Sequence, residues 1–193
     1  MYIAHRNLKV TDGNTSGSLA LSEALHAGMK SVPGFRWAML LLSVDDPAKM
    51  AGVEMWQTPE AATAWAESEG RSQAVAAHPG QETGDEQGYD VTTPRGSMTP
   101  ATVAAIVQWE IDDASTKPFT DRWNAAYHHI EDRISSRLAR HLRKPTRFAG
   151  FHVAQSAAAL TPEVLGAELR DGETFAARPT TFDRYDVVLL AEA

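Results

Sequence analysis

Apolar and polar positions alternate from the first residue, and residues 1–10 read as a strand with Tyr2, Ala4 and Arg6 on one face and Ile3, His5 and Asn7 on the other. The run TDGNTSG at 11–17 is a turn, with Ser16 or Ser18 placed to cap a helix over about 18–31. That helix carries Leu21, Leu25 and Met29 on one stripe and stops at Pro33-Gly34. Residues 35–44 form a strongly apolar strand, Asp45-Asp46-Pro47 a tight turn, and 49–56 the hairpin partner. The next stretch, WQTPEAATAWAESEGRSQAVAAH at 56–78, opens a second helix. Thr58 is its N-cap, Pro59 takes the first helical position, and Glu60 faces the positive end of the dipole. Ala61, Ala62, Trp65 and Ala66 share a face, which turns Trp65 inward. Gly70 is expected to break this helix, and a short helical piece at 72–77 ends in His78 before Pro79-Gly80. An acidic glycine-rich loop and a strand at about 89–93 complete a βαββαβ order, a ferredoxin-like unit.

Residues 93–100 have the composition of a linker, after which the pattern restarts with a strand at 102–111. A long helix is expected over about 118–142, because Phe119, Trp123, Ala126, Ile130, Ile134, Leu138 and Leu142 form one apolar stripe. Its basic end (Arg137, Arg140, Arg143, Lys144) suits the negative end of a helix dipole better than a binding patch. MAGVEMWQTPE at 50–60 resembles FAGFHVAQ at 148–155 followed by TPE at 161–163, a weak internal repeat. The second copy ends in a strand at 185–190. Only one clear strand separates its two helices, so it has lost a hairpin strand or holds it near 173–177.

A chain of 193 residues can bury roughly 70 % of its unfolded surface. The lack of cysteine excludes disulfides, thiolate metal sites and cysteine nucleophiles. A formal charge of -7 argues against nucleic acid as a partner, whose phosphates demand a basic surface. No apolar run approaches the ~18 residues of a membrane span, and MYIAHRNLKV lacks the order of a signal peptide, so the expected compartment is the cytoplasm, with no membrane partner. Arg6, Asn7, Trp65, Arg71 and His78 can converge on one cavity between sheet and helices, where an imidazole could ligate iron or act as a base. Spacing alone favours the plainer arrangement, a core tryptophan and a surface histidine that never meet. His128/Glu131 and His129/Asp132 have metal-ligand spacing but lie off the apolar stripe, which favours solvated pairs. His5, His26, His141 and His152 are scattered, and core packing accounts for Trp37, Trp56, Trp109 and Trp123. There is no GxGxxG, GxxxxGK[ST], GxSxG or HExxH.

Four stretches then carry a resemblance: PGF at 33–35, the strand ending in Trp56, EAATAW at 60–65 and AVAAH at 74–78. Over residues 1 to about 95 the chain resembles the antibiotic-biosynthesis-monooxygenase superfamily of dimeric α+β barrels. The resemblance implies an α+β fold in which tandem ferredoxin-like units, 1–95 and 101–193, pack as a dimeric α+β barrel that forms a homodimer. Nearest in look are the small haem-degrading monooxygenases, in which a first-strand asparagine, a second-helix tryptophan and a following histidine surround the haem. Trp65 and His78 match the latter two, and Asn7 stands near the position of the first. The resemblance therefore implies haem as ligand and cofactor and oxidative haem degradation as the activity. His78 would be the axial iron ligand, Trp65 the wall that distorts the macrocycle, Asn7 a donor to bound oxygen, and Arg6 and Arg71 further haem contacts. A second subgroup converts polycyclic phenols to quinones without a cofactor, and Trp65, Asn7 and Arg71 would serve there equally. A barrel that only binds a small aromatic ligand is the reading outside the enzymes. The second unit, lacking the Trp/His pair, is expected to be scaffold.

Overall fold

The computed structural model describes residues 1–9, 15–78, 86–95, 101–127, 134–165, 169–171 and 175–193. The chain divides into two compact units, Met1–Tyr89 with Val187–Ala193, and Asp90–Asp186. Both are mixed α+β and ferredoxin-like, as the patterns led one to expect.

Unit 1 runs β1 (Tyr2–Lys9), α1 (Thr15–Met29), β2 (Phe35–Ser43), β3 (Lys49–Trp56), α2 (Pro59–Ala66), α3 (Glu69–Ala76) and the start of β4 (Glu86–Arg95). Its strands follow the order β4–β1–β3–β2, with β3 antiparallel to both neighbours. The registers decide which side chains share a face. Tyr2 lies opposite Trp56, Ala4 opposite Glu54, Arg6 opposite Gly52 and Leu8 opposite Met50. On the other side of β3, Ala38 pairs with Glu54 and Leu40 with Gly52. This face takes the helices. Tyr2, Ala4, Met29, Phe35, Trp56 and Trp65 form one apolar cluster, in which Phe35 meets Trp56 edge-on at 5.3 Å between ring centroids. Gly34, at φ 89°, makes the turn into β2 that a side chain would strain.

Thr58 caps α2, its hydroxyl accepting the Ala61 N–H at 3.3 Å. The helix breaks earlier than expected. Ser68 stops it by capping α3, accepting the Arg71 N–H at 3.1 Å, and Gly70 sits inside α3. A good cap satisfies an orphan donor, whereas a glycine within a helix costs only about 1 kcal/mol, so the serine sets the boundary.

Unit 2 runs from the end of β4 through β5 (Val103–Glu110), α4 (Thr116–Tyr127), β6 (Ile134–His141) and β7 (Arg147–Ala154). It continues with β8 (Leu169–Asp171) and β9 (Phe175–Ala177) and the first half of β10 (Thr181–Glu192). Here the sequence expectation needs correcting. The long helix over 118–142 does not form, because α4 ends at Tyr127 and residues 134–141 are a strand. A four-residue spacing is also a multiple of two, so Ile134 and Leu138 share a strand face as readily as a helix face. β-branched Ile134 and the Ser135-Ser136 pair then favour the strand. Unit 2 has therefore not lost its hairpin strand, since β6 pairs antiparallel with β7 from Ile134↔Ala154 to Arg140↔Phe148. The strand near 173–177 exists as β9 but pairs with β8 in a separate two-stranded sheet. The repeated TPE signal makes one turn, with the Thr161 hydroxyl accepting the Val164 N–H at 3.3 Å.

Candidate functional site

A cavity of about 40 Å³ lies in unit 1 between α1 and the helix-facing side of the sheet. That is room for about three water molecules, and a cavity that takes a benzene ring measures about 150 Å³, so a ring enters only if the walls give. Leu21, Leu25 and Met29 of α1 and Leu8 and Leu40 of the sheet make it largely apolar. Ser18, Ser22 and His26 from α1, and Arg6 and Glu54 from the strands, supply the polar groups. Gly52 is the position that keeps it open, because a Cβ there would meet nothing within 4 Å.

The polar wall is a buried ion cluster. Arg6 donates through Nη1 to Glu54 and through Nη2 to Glu86. Glu54 also accepts the Trp56 indole N–H at 3.2 Å, and Glu86 accepts the Tyr2 hydroxyl at 3.0 Å. Burial works against the Arg6 charge, but Glu54 and Glu86 outweigh it and hold the guanidinium protonated. Tyr2 is pushed well above the usual phenol range by burial and by Glu86, so it stays neutral. His26 is the contrasting group. It is 6 % exposed, its Nδ1 has no hydrogen-bond partner among the described residues, and burial followed by Lys30 lowers its pKa to about 4.

Of the residues singled out in the sequence, Arg6 lies in this cavity. Asn7, the next residue on β1, points to the opposite side and is exposed. Trp65 is buried against α1, its Nε1 without a partner among the described residues, but it does not line the cavity. Arg71 is half-buried at the start of α3. His78 is half-buried beyond α3, with Nδ1 at 2.8 Å from the Ala74 carbonyl, and is not part of the cavity wall. The pairs His128/Glu131 and His129/Asp132 lie outside the described residues. Among the described residues no group of three or more His, Asp or Glu is placed to share a metal ion, and no helix is long and apolar enough to cross a membrane. His26, Gly52 and Glu54 were not singled out, although His26 falls four residues after Ser22 and three before Met29, on the buried side of α1.

Trp65 is seated by Gly28. A Cβ on that residue would stand 2.6 Å from Trp65 Cη2. Gly28→Val is expected to destabilise the protein by about 1–3 kcal/mol by forcing the indole out of place. Chemical denaturation followed by tryptophan fluorescence measures this, and an unchanged midpoint would show that Trp65 moves freely.

Among the described residues, unit 2 is filled at the matching place. In the repeat, Gly150 stands for Gly52 and His152 for Glu54, while the register sets Val107 in the place of Arg6 and Trp109 in that of Leu8. A Cβ at Gly150 would run into the His152 ring and lie 3.1 Å from Trp109 Cη2. His152, its pKa lowered to about 3 by burial, has Nδ1 2.8 Å from the Ser136 hydroxyl and packs near Trp123. The space that is open over Gly52 is filled over Gly150.

Residues 1–77 match the family model of the antibiotic biosynthesis monooxygenases. The resemblance read from the sequence is thus shown for that stretch, which contains β1 through α3 and every cavity-lining residue. Solved structures extend the likeness over the whole chain. A monooxygenase candidate from Fusobacterium nucleatum superposes with a TM-score of 0.77 at 11 % identity, covering 99 % of this chain and 94 % of that one. An anthrone oxidase-like protein gives 0.60 at 12 %, covering 100 % and 93 %. The haem-degrading enzyme LmHde from Listeria monocytogenes gives 0.54 at 12 %, covering 97 % and 99 %. At these identities the likeness is one of fold. No curated protein matches the chain.

Proposed function

We propose that unit 1 is a monooxygenase that oxidises an electron-rich phenol to a quinone with molecular oxygen and no cofactor, in the cavity between α1 and the sheet. The observation that carries this reading is the pairing of a largely apolar cavity, which must widen to admit a ring, with a fixed, protonated guanidinium at Arg6. The chemistry asks little more of a protein. Loss of the phenolic proton leaves an anion with carbanion character at a ring carbon, and that carbon reduces and then binds oxygen. The hydroperoxide loses water to give the quinone, so phenol plus O₂ becomes quinone plus H₂O. Arg6 is the positive group beside this path, and what it offers the developing anion is the share of its charge that the pairing with Glu54 and Glu86 leaves. The family match, in a family that is generally cofactor-independent, supports the same class.

Haem was the first expectation from the resemblance. The cavity does not fit it: about 40 Å³ has no room for a porphyrin, and His78, the residue matched to the axial ligand, is not among the lining residues. The fold likeness to LmHde leaves the ligand open. Two measurements test the reading. Oxygen uptake with monocyclic phenols is expected to match quinone formation mole for mole, and phenol binding without uptake would favour a barrel that only binds ligand. Haemin titration is expected to give no Soret shift. A sharp shift at one equivalent, lost in His78→Ala, would overturn the phenol reading in favour of haem.

A further inference from the structure

We infer that His26 is the catalytic base of this site, accepting the phenolic proton and returning it to the reduced oxygen. The inference rests on the phenol-oxidising reading above and adds to it a residue on α1 that neither the resemblance nor the internal repeat points to.

Elimination within the cavity singles out the imidazole. Glu54 is occupied by Arg6 and the Trp56 indole, and Glu86 by Arg6 and the Tyr2 hydroxyl, so both carboxylates already hold donors. The hydroxyls of Ser18 and Ser22 are not bases at neutral pH, and the Tyr2 phenol stays protonated. His26 is buried, lines the same space, and has a ring nitrogen with no donor or acceptor opposite it among the described residues. A buried polar nitrogen left unpaired costs about 1–3 kcal/mol, a cost that a ligand hydroxyl entering the cavity could relieve by setting the tautomer.

The electrostatics favour a ring that is neutral when empty and charged only when substrate is present. Lys30, just past the end of α1, acts on it directly, Arg6 on β1 and Glu54 on β3 line the same cavity, and Glu86 on β4 pairs with Arg6. Burial and Lys30 keep the imidazole free of a proton, with a pKa of about 4. Once a phenol binds, transfer of its proton creates an imidazolium beside a phenolate. Their attraction in a low-dielectric pocket is far stronger than in water, and it raises the basicity of the ring at the moment it is needed. The electron pair of the broken O–H bond stays on the phenol. After oxygen adds at the ring carbon, the imidazolium returns the proton to the peroxide anion. The neutral imidazole then removes the hydrogen from that carbon as the O–O bond breaks, and the departing hydroxide leaves with this proton as water. Each proton taken up by His26 is released, and O₂ is the sole oxidant.

The test uses the full chain and two probes. With an oxidisable phenol, His26→Gln is expected to lower kcat by 10²–10⁴-fold with little change in KM, and to lose the acidic limb that wild type shows in kcat/KM against pH. With 4-nitrophenol, which binds without being oxidised, wild type is expected to show the phenolate absorbance below the pH at which the free phenol ionises. ¹⁵N NMR should show His26 becoming protonated at the same time, and His26→Gln should bind the phenol without the phenolate band. Turnover with an unchanged acidic limb in His26→Gln overturns the role of His26 while leaving the oxygenase reading intact. If wild type takes up no oxygen but ionises bound 4-nitrophenol through His26, the oxygenase reading falls and the base assignment stands. A bound phenol that stays neutral in wild type removes the assignment, and because that measurement needs no variant, misfolding cannot mask it.

Discussion

Arg6→Met is expected to destabilise unit 1 by about 3–5 kcal/mol, the usual cost of leaving a buried charge without its partner. Glu54 is 5 % exposed, and its remaining donor is the Trp56 indole. Methionine fills the volume of the arginine stem but cannot neutralise that carboxylate. Glu86, whose side chain is 35 % exposed, can turn toward water and contributes little of the loss. Arg6→Met/Glu54→Leu should therefore recover most of the stability, since a well-packed apolar pair often matches a buried ion pair. Unit 2 has Val107 and His152 at the corresponding places, the imidazole held by the Ser136 hydroxyl rather than by an arginine. Urea denaturation of wild type, the single variant and the double variant measures all three terms. A single variant as unstable as the double would mean that Glu54 is solvated and the cluster is not a buried one. Both variants are expected to lose phenol oxidation, because Arg6 is the cation that the anionic intermediate faces.

Strand alternation alone gives the strands of unit 1 and sets Arg6 and Asn7 on opposite faces. Which of those faces takes the helices could not be read from β1 alone, since Ile3, His5, Tyr2 and Ala4 are all buried and offer no polar side to exclude. Trp65 was legible as an inward residue because its cap, first-turn proline and three- and four-residue spacings agree. Glu54 and Gly52 become meaningful only through the β1–β3 register, which brings residues nearly fifty positions apart face to face. His26 escaped for a different reason. The stripe on α1 was traced by its apolar members, and a histidine on the same stripe reads as background until the space beside it is seen. The misread helix of unit 2 shows how far periodicity reaches. Hydrophobic residues every four positions satisfy a helix and a strand alike, and only propensity separates them.

Gly52→Phe is expected to abolish phenol oxidation, with a loss of at least about 10²-fold in kcat/KM, while the protein stays folded at an overpacking cost of about 1–3 kcal/mol. The glycine is not needed by the backbone: its φ is not positive, and a Cβ would meet nothing within 4 Å. Phenylalanine also suits a strand better than glycine does, by up to about 1 kcal/mol. Its ring would enter the space that the substrate ring is proposed to use, between Leu40 and Arg6, the residues opposite Gly52 on the flanking strands. The same chain carries the precedent in unit 2, where Trp109 and His152 close the space over Gly150 beside an apolar cluster of Phe119, Trp123 and Phe148. A variant that stays cooperatively folded yet neither binds 4-nitrophenol nor takes up oxygen would locate the site by occupancy, with Arg6, Glu54 and His26 untouched. Full activity in a stable Gly52→Phe protein would move the chemistry away from this cavity. Asn7, Trp65, Arg71 and His78, which lie outside it, would then be the next residues to test.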